Sequence, residues 1–290
     1  MFPTLLYKNA YFTSSWNEVI NLFQRKVNIT RIKRDHRTQE YDTVLIESPI
    51  DILVNSQPLV NVICLAKDLK ELAVGFLFSI GLIDSYDDVK RVQDNALEGK
   101  INVDLKKEIL LKKDLMEINP ISRVIDTTCG IPSPWRNLIK KKIDQRTSKD
   151  PPVFSEHVKA ELIYSSIVEM QRQTTLFKTT GGCHGAAAFD FQGTLLSLKE
   201  DIGRHNAIDK VIGDLLIANH DFKNLLLTST GRLTGDSVLK AVRARIPIVA
   251  SLSAAIESGI RLAFGYGITL IGFVRGNGMN IYTHPERIAS

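Results

Sequence analysis

Between Thr179 and Lys210 the chain gathers residues whose types and spacing could do chemistry. Thr180-Gly181-Gly182-Cys183-His184 opens the stretch, and Glu200-Asp201, Gly203, Arg204-His205-Asn206 and Asp209 close it as the densest polar cluster in the sequence. Glycines at turns let a backbone approach a ligand closely, and adjacent charges then orient it. His184 and His205 have the side chains for acid–base work and are equally suited to hydrogen-bonded structural roles. Asp201 could face a ligand or favour the N-terminus of the helix that follows it. Further on come Ser229-Thr230-Gly231-Arg232-Leu233-Thr234, Ser251-Leu252-Ser253 and Arg275-Gly276-Asn277-Gly278. Each can present backbone N–H groups and two carry an arginine, a combination suited to phosphate. No Walker lysine pattern and no G-x-G-x-x-G after a strand is present, so neither a P-loop nor a dinucleotide fold is expected.

The three cysteines, Cys64, Cys129 and Cys183, are far apart and odd in number, which argues against a disulfide framework and a four-cysteine zinc site. Cys64 lies in an apolar run and reads as core. Cys129 stands in Asp126-Thr127-Thr128-Cys129-Gly130-Ile131-Pro132-Ser133-Pro134, where two prolines and a glycine exclude helix or central strand. A thiol on such a loop could carry sulfur or act as a nucleophile once ionised, or be an incidental surface cysteine. Cys183 beside its glycine turn could be either packing or reactive.

These groups need a scaffold, and the patterning supplies one. Residues 1–36 read as a loosely attached extension. Strand-like runs follow from Tyr41 to Leu65, and Asp68 with Glu71 looks like a capping box for a helix, ELAVGFLFSIGLI, apolar nearly all round. Short strands are expected at Val89–Val92, Lys100–Leu105 and Glu108–Lys112. The polar stretch from Arg136 to Asp150 reads as a linker, giving domains at 37–150 and 151–290. In the second, Ser155 is the expected N-cap of a helix to about Gln173, with Val158, Leu162, Ile163, Ile167 and Met170 as its apolar stripe. A hairpin about Gln192-Gly193, then alternating helices and strands with short connections, predict a mixed sheet in a three-layer α/β sandwich, preceded by a smaller α+β domain. In such sheets ligands sit beyond the C-terminal strand ends, where the three loops lie.

Of the 290 residues 44% are hydrophobic and 24% charged, an ordinary globular composition. The net charge of +5 comes from local runs such as Lys140-Lys141-Lys142 and is unaccompanied by a nucleic-acid-binding signature. The N-terminus lacks the pattern of a signal peptide, and the longest apolar run, Leu72 to Ile83, is too short for a bilayer. A cytoplasmic protein without nucleic-acid or membrane partners is expected.

Several strings together resemble the formate dehydrogenase accessory sulfurtransferase family, FdhD. They are Glu71 to Leu77, Thr180 to His184, Glu200 to Ala207, Gly272 to Gly276 and Tyr282 to Arg287, and the likeness runs from about residue 40 to Ile288. The resemblance implies a dimer with a cytidine-deaminase-like C-terminal domain. It implies binding of the molybdenum cofactor in its bis(molybdopterin guanine dinucleotide) form, hence of a GDP-like moiety. It also implies sulfur received from a cysteine desulfurase and delivered to that cofactor before insertion into the formate dehydrogenase apoenzyme. The family's persulfide cysteine maps onto Cys129, and its cofactor stretch onto Phe273, Val274, Arg275, Gly276, Asn277 and Gly278. Thr180, Gly181, Gly182, His184, Asp201, Arg204, His205, Gly231 and Arg232 complete the expected cofactor site, with no metal ligands. Two positions depart from the family: Pro132 replaces the second loop cysteine, and Gly278 stands where relatives often have an arginine, which makes Arg232 a candidate substitute. A cofactor-binding insertion chaperone without sulfur transfer is the alternative. Deaminase activity is excluded, since His184-Gly185-Ala186 lacks the glutamate and no Cys-x-x-Cys occurs.

Overall fold

The computed structural model describes residues 21–106, 124–125, 157–276 and 278–289. Two ten-residue strands, β1 (Gln24–Lys33) and β2 (His36–Leu45), pair antiparallel from Gln24↔Leu45 to Lys33↔His36. The expected extension is therefore a strand from Gln24 onward, and the boundary placed at residue 36 falls at a hairpin turn with Arg34 at φ 52°. Both strands alternate, but polar side chains outnumber apolar ones on each, so the period-2 signal is weak. Residues 1–20 lie outside the described residues.

A second hairpin joins β3 (Ser48–Val54) to β4 (Gln57–Cys64) through Asn55 and Ser56, at φ 49° and 64°. Positive φ at both turn positions gives the twist that matches flanking strands, and asparagine tolerates it well. After α1 (Leu69–Ser79) come β5 (Val89–Asn95) and β6 (Lys100–Leu105). With β7 (Val124–Ile125) they form a five-stranded sheet of order β5-β6-β3-β4-β7. The expected strand at Glu108–Lys112 and the linker at 136–150 lie outside the described residues. The expected capping box does not form. Asp68 adopts φ 52°, ψ 45° and makes no capping bond; it and Glu71 lie 3.6 and 3.9 Å from Lys199 Nζ instead.

The second half begins with β8 (Val158–Lys159), which takes Val158 out of the expected helical stripe; the helix α2 runs only over Ala160–Gln173. Ser155, its expected cap, lies outside the described residues. Then follow α3 (Thr175–Thr180), β9 (His184–Asp190), β10 (Leu195–Asp201) and α4 (Arg204–Ile217). The chain continues through β11 (Leu225–Ser229), α5 (Gly235–Ala244), β12 (Ile248–Ser251), α6 (Glu257–Gly265), β13 (Thr269–Arg275) and β14 (Gly278–Thr283). A short β15 (Ile288–Ala289) pairs with β8. The sheet has the order β10-β9-β11-β12-β13-β14, parallel through β11, β12 and β13 and antiparallel elsewhere. Period 2 sorts its side chains. Ala187, Phe189, Leu226, Ile248, Ala250 and Ile271 pack with Ile163, Ile167 and Met170 of α2. Ala186, Ala188, Leu225, Leu227, Val249 and Leu270 pack in the other core, with α4, α5 and Ala263 of α6. The expected mixed α/β sandwich is observed.

The halves of the chain share one core, which continues from β3 and β4 through α1 to α4 and the larger sheet. Two glycines let α1 and α4 touch backbone to backbone. A Cβ on Gly75 would lie 1.8 Å from the Asp209 carbonyl oxygen, and one on Gly213 would lie 1.9 Å from that of Glu71. Around this crossing run buried ion pairs: Lys210 Nζ to Asp201 Oδ2 and Lys240 Nζ to Asp209 Oδ2, each at 2.6 Å. Ser79 Oγ donates to Asp209 at 2.6 Å, and Asn206 Nδ2 donates to the Ile63 carbonyl at 2.9 Å.

Candidate functional site

Strand direction gathers the expected loops. Parallel β11, β12 and β13 end on one side of the sheet, and antiparallel β9 begins there, with Ala186 opposite Ser229. Helices α4, α5 and α6 start from the same side, so their N-terminal N–H groups carry positive potential there. The loops 229–234, 251–256 and 272–276 are tied to one another. Leu233 N donates to Ala254 O at 2.9 Å, Ile256 N to Leu233 O at 3.0 Å, and Phe273 N to Ser253 O at 3.0 Å. Ser251 Oγ lies 2.7 Å from the Gly231 carbonyl and accepts from Ser253 N at 3.0 Å, while Ser229 Oγ accepts from Gly231 N at 3.0 Å. Two of the serine hydroxyls that look like ligand groups in the sequence instead hold the loops together.

Cations cluster on this shelf. Arg204 lies against Gly231, where a Cβ would sit 2.8 Å from the arginine's own Cβ, so glycine is what gives the side chain room. Arg204 Nε is buried and has no hydrogen-bond partner among the described residues. Burial and then the nearby Arg232 charge hold the Arg204 guanidinium below its ordinary pKa, with Asp236 opposing them. Arg232 is exposed. A buried guanidinium nitrogen without an acceptor among the described residues, beside a second, exposed arginine, suits an anion.

The two histidines sit differently. His184 Nδ1 lies 3.1 Å from Thr230 Oγ1, which also accepts from Gly185 N at 3.1 Å. Burial, then the Arg204 charge, lowers the His184 pKa, against an opposing pull from Asp201. His205 is 7% exposed and its Nδ1 is 3.4 Å from Ser237 Oγ. Burial, followed by Lys240 and Arg204, pushes its pKa down to about 3. Both rings are neutral near pH 7, which suits hydrogen bonding better than proton transfer. The consequence for stability is testable. The unfolded chain binds a proton at His205 below about pH 6.5 and the folded chain only below about 3, so this contribution is present above 6.5 and is lost as pH falls toward 3. A His205→Gln variant is expected to lose less stability than wild type on acidification through that window, by a few kcal/mol on the order implied by the shift. Parallel slopes of urea-derived stability against pH for the two proteins would exclude it.

Asp201, expected at the ligand, has a different place. It has no exposed surface, and its carboxylate accepts from Leu65 N at 3.0 Å, Gly203 N at 2.8 Å and Asn206 Nδ2 at 2.9 Å besides Lys210. It fastens the seam beneath the shelf. Val274 is likewise 1% exposed and belongs to the core. Phe273 is 41% exposed and holds φ 53°, unusual for a bulky side chain, at a register shift between β13 and β14. Arg275 Nε donates to Leu252 O at 3.2 Å, and Gly276 at φ 53° has open space around it. Gly278 begins β14, while Asn277 and Cys129 lie outside the described residues. Thr180, Gly181 and Gly182 form the turn after α3, with Gly181 at φ 64° and Thr180 Oγ1 accepting from Gly182 N at 3.1 Å.

Glu200, named in the polar cluster but not among the expected site residues, has a structural part. This buried carboxylate accepts from Leu176 N at 3.1 Å and Phe177 N at 2.8 Å, which anchors α3 and hence the Thr180–His184 turn. Its place in the polar cluster was the available signal. Cys183 Sγ lies 3.8 Å from Glu200, and burial together with that carboxylate pushes the thiol up to about 12. Cys64 is fully buried, and burial raises its thiol too. Among the described residues no three His, Cys, Asp or Glu side chains could hold a metal ion, and no helix is long and apolar enough to cross a membrane. A cavity of about 470 Å³ bordered by His157, Lys159, Leu162 and Phe191 lies near the opposite end of β9, away from this shelf.

A model of the FdhD/NarQ family matches residues 45–289. The chain is 36% identical over 270 residues to the sulfur carrier protein FdhD of Sulfolobus acidocaldarius, covering 91% of this chain and 98% of that protein. It is 34% identical over 262 residues to the sulfur carrier protein FdhD of Bacillus subtilis, covering 90% and 96%. The crystal structure of a formate dehydrogenase accessory protein from Desulfotalea psychrophila superposes with a TM-score of 0.71 at 26% identity, over 92% of this chain and 100% of that one. With a family match across most of its length and relatives aligned nearly end to end, the chain belongs to the FdhD/NarQ family.

Proposed function

We propose that the protein is a cytoplasmic, homodimeric sulfur carrier that takes sulfane sulfur from a cysteine desulfurase onto Cys129. It delivers that sulfur to a molybdenum cofactor carried as bis(molybdopterin guanine dinucleotide), ahead of its insertion into formate dehydrogenase. The observation that carries the reading is the shelf itself: three tied loops and three helix starts surround Arg204, Arg232 and neutral His184, with the exposed ring of Phe273 near by. The names of the relatives, sulfur carrier and formate dehydrogenase accessory protein, support it. In loading, the Cys129 thiolate attacks the terminal sulfur of the desulfurase persulfide; the S–S bond there breaks, the desulfurase leaves as thiolate, and Cys129 becomes a persulfide. Delivery of that sulfur as sulfide returns Cys129 to a thiol and takes two electrons, for which a thiol reductant serves. The shelf residues bind and orient the nucleotide: Arg204 and Arg232 meet its phosphates, Phe273 stacks on the base and His184 donates or accepts a hydrogen bond.

Mass spectrometry after incubation with a cysteine desulfurase and cysteine tests the sulfur step. An adduct of about 32 Da, one sulfur, is expected on Cys129 and not on Cys64 or Cys183. Calorimetric titration with GDP tests the shelf: Phe273→Ala is expected to weaken binding roughly tenfold, since base–aromatic stacking is worth about 1–3 kcal/mol. Unchanged affinity would move the nucleotide elsewhere. A second reading, an insertion chaperone that carries the cofactor without transferring sulfur, is favoured by Pro132 at the second cysteine position and by the buried Cys183, which offers no replacement thiol. Absence of any persulfide together with intact GDP binding would select it.

A further inference from the structure

The two edges of the larger sheet are not alike. At β10 the edge is closed: Lys199 meets Asp68, Glu71 and Asp214, Leu65 N donates to Asp201, and Lys210 Nζ donates to the Glu200 carbonyl. At β14 nothing among the described residues pairs with the outer side. Natural edges are ordinarily protected by charge, proline or covering segments, because a free ladder recruits another strand. Gly278-Met279-Asn280-Ile281-Tyr282-Thr283 carries no charge and no proline. Met279 and Ile281, on the face that packs with the α2 core, are only half-buried.

We infer that β14 is an interface on which a second copy of this chain pairs, antiparallel and about a two-fold axis at Asn280. The strand is self-complementary in this register. Antiparallel pairing about Asn280 sets Met279 of each copy opposite Ile281 of the other, on one face, so both half-buried apolar side chains gain cover at once. An uncharged strand also meets its own copy without repulsion, whereas a charged edge would oppose itself. The geometry has a consequence for the shelf. Tyr282 of the second copy comes beside Gly278 at the start of β14, so the shelf next to Gly278 gains a wall from the other copy. The inference rests on the homodimer in the reading above and deepens it by giving the surface.

Sedimentation velocity on the full chain at micromolar concentration tests it with a charge pair. Asn280→Asp and Asn280→Lys each place like charges opposite one another across the axis, and each alone is expected to sediment as a monomer. Mixed in equal amounts they are expected to regain the wild-type dimer, because the heterodimer pairs opposite charges. Recovery on mixing also shows that both variants fold. Dimers of wild-type mass from each variant alone, or no recovery on mixing, would overturn the β14 interface and leave the homodimer standing. A monomeric wild type would overturn the homodimer itself, while persulfide formation on Cys129 is read independently of either.

Discussion

Replacing Lys210 with Met is expected to destabilise the protein by about 3–5 kcal/mol, a large share of the roughly 5–15 kcal/mol that holds a typical domain folded. Lys210 and Asp201 are both 0% exposed and lie 2.6 Å apart. Lys210→Met leaves the Asp201 carboxylate in a dry seam with only neutral donors, and removes the donor to the Leu65 carbonyl at 3.1 Å. A buried charge without its counter-ion is far more costly than the pair is favourable. Lys199 provides the control. It is 13% exposed and faces three carboxylates at 3.3, 3.6 and 3.9 Å that are 23–32% exposed and keep contact with water, so Lys199→Met is expected to cost less than Lys210→Met. Urea unfolding followed by circular dichroism checks both variants. Equal midpoints for Lys210→Met and wild type would mean that the seam is not held by this pair.

Replacing Cys129 with Ala is expected to abolish sulfur transfer, reducing restoration of formate dehydrogenase in an accessory-deficient host to background. The chain has three cysteines, and the other two are unsuited to the task. Cys64 is fully buried, and the Cys183 thiol is pushed up to about 12 by burial and Glu200. At pH 7 that leaves roughly one Cys183 in 10⁵ as thiolate, against a few per cent for an ordinary exposed cysteine. Cys183→Ala is accordingly expected to keep most of the transfer activity. Full restoration by Cys129→Ala would sink the sulfur-carrier reading and leave the chaperone reading in its place.

How much of this was legible in the sequence depends on how local its cause is. The stripe of Leu162, Ile163, Ile167 and Met170 announced the packed face of α2, and Ile163, Ile167 and Met170 are buried with Leu162 half-buried beside them. The hairpin at Gln192-Gly193 was equally readable and joins β9 to β10, with Gly193 at φ 88°, because turn chemistry acts within a few residues. The capping box failed for the opposite reason. Asp68 and Glu71 have the right spacing, but Lys199 on a distant strand draws both carboxylates away. The buried roles of Lys210 and Lys240 were not legible, since their partners Asp201 and Asp209 lie on other elements that only the packed structure brings to them. The same holds for Gly75 and Gly213, whose meaning exists only where two helices meet. In the site, loop positions were legible from strand order, while the separation of Arg204 and Arg232 on the shelf from Asp201 beneath it was not. Neighbours in sequence at a strand end point to opposite sides, and only the packed structure says which side faces solvent.

The loop ties on the shelf also bear on how binding free energy is partitioned. A flexible nucleotide loop must lose backbone and side-chain freedom when its ligand arrives, and that entropy is subtracted from whatever the contacts supply. Here the backbone bonds among 229–234, 251–256 and 272–276, and the Ser229 and Ser251 hydroxyls locked between them, have already removed that freedom during folding. On the proposed nucleotide-binding reading, contacts of a ligand with Arg204, Arg232 and Phe273 would lose little to loop ordering, and the two hydroxyls would aid recognition without touching the ligand.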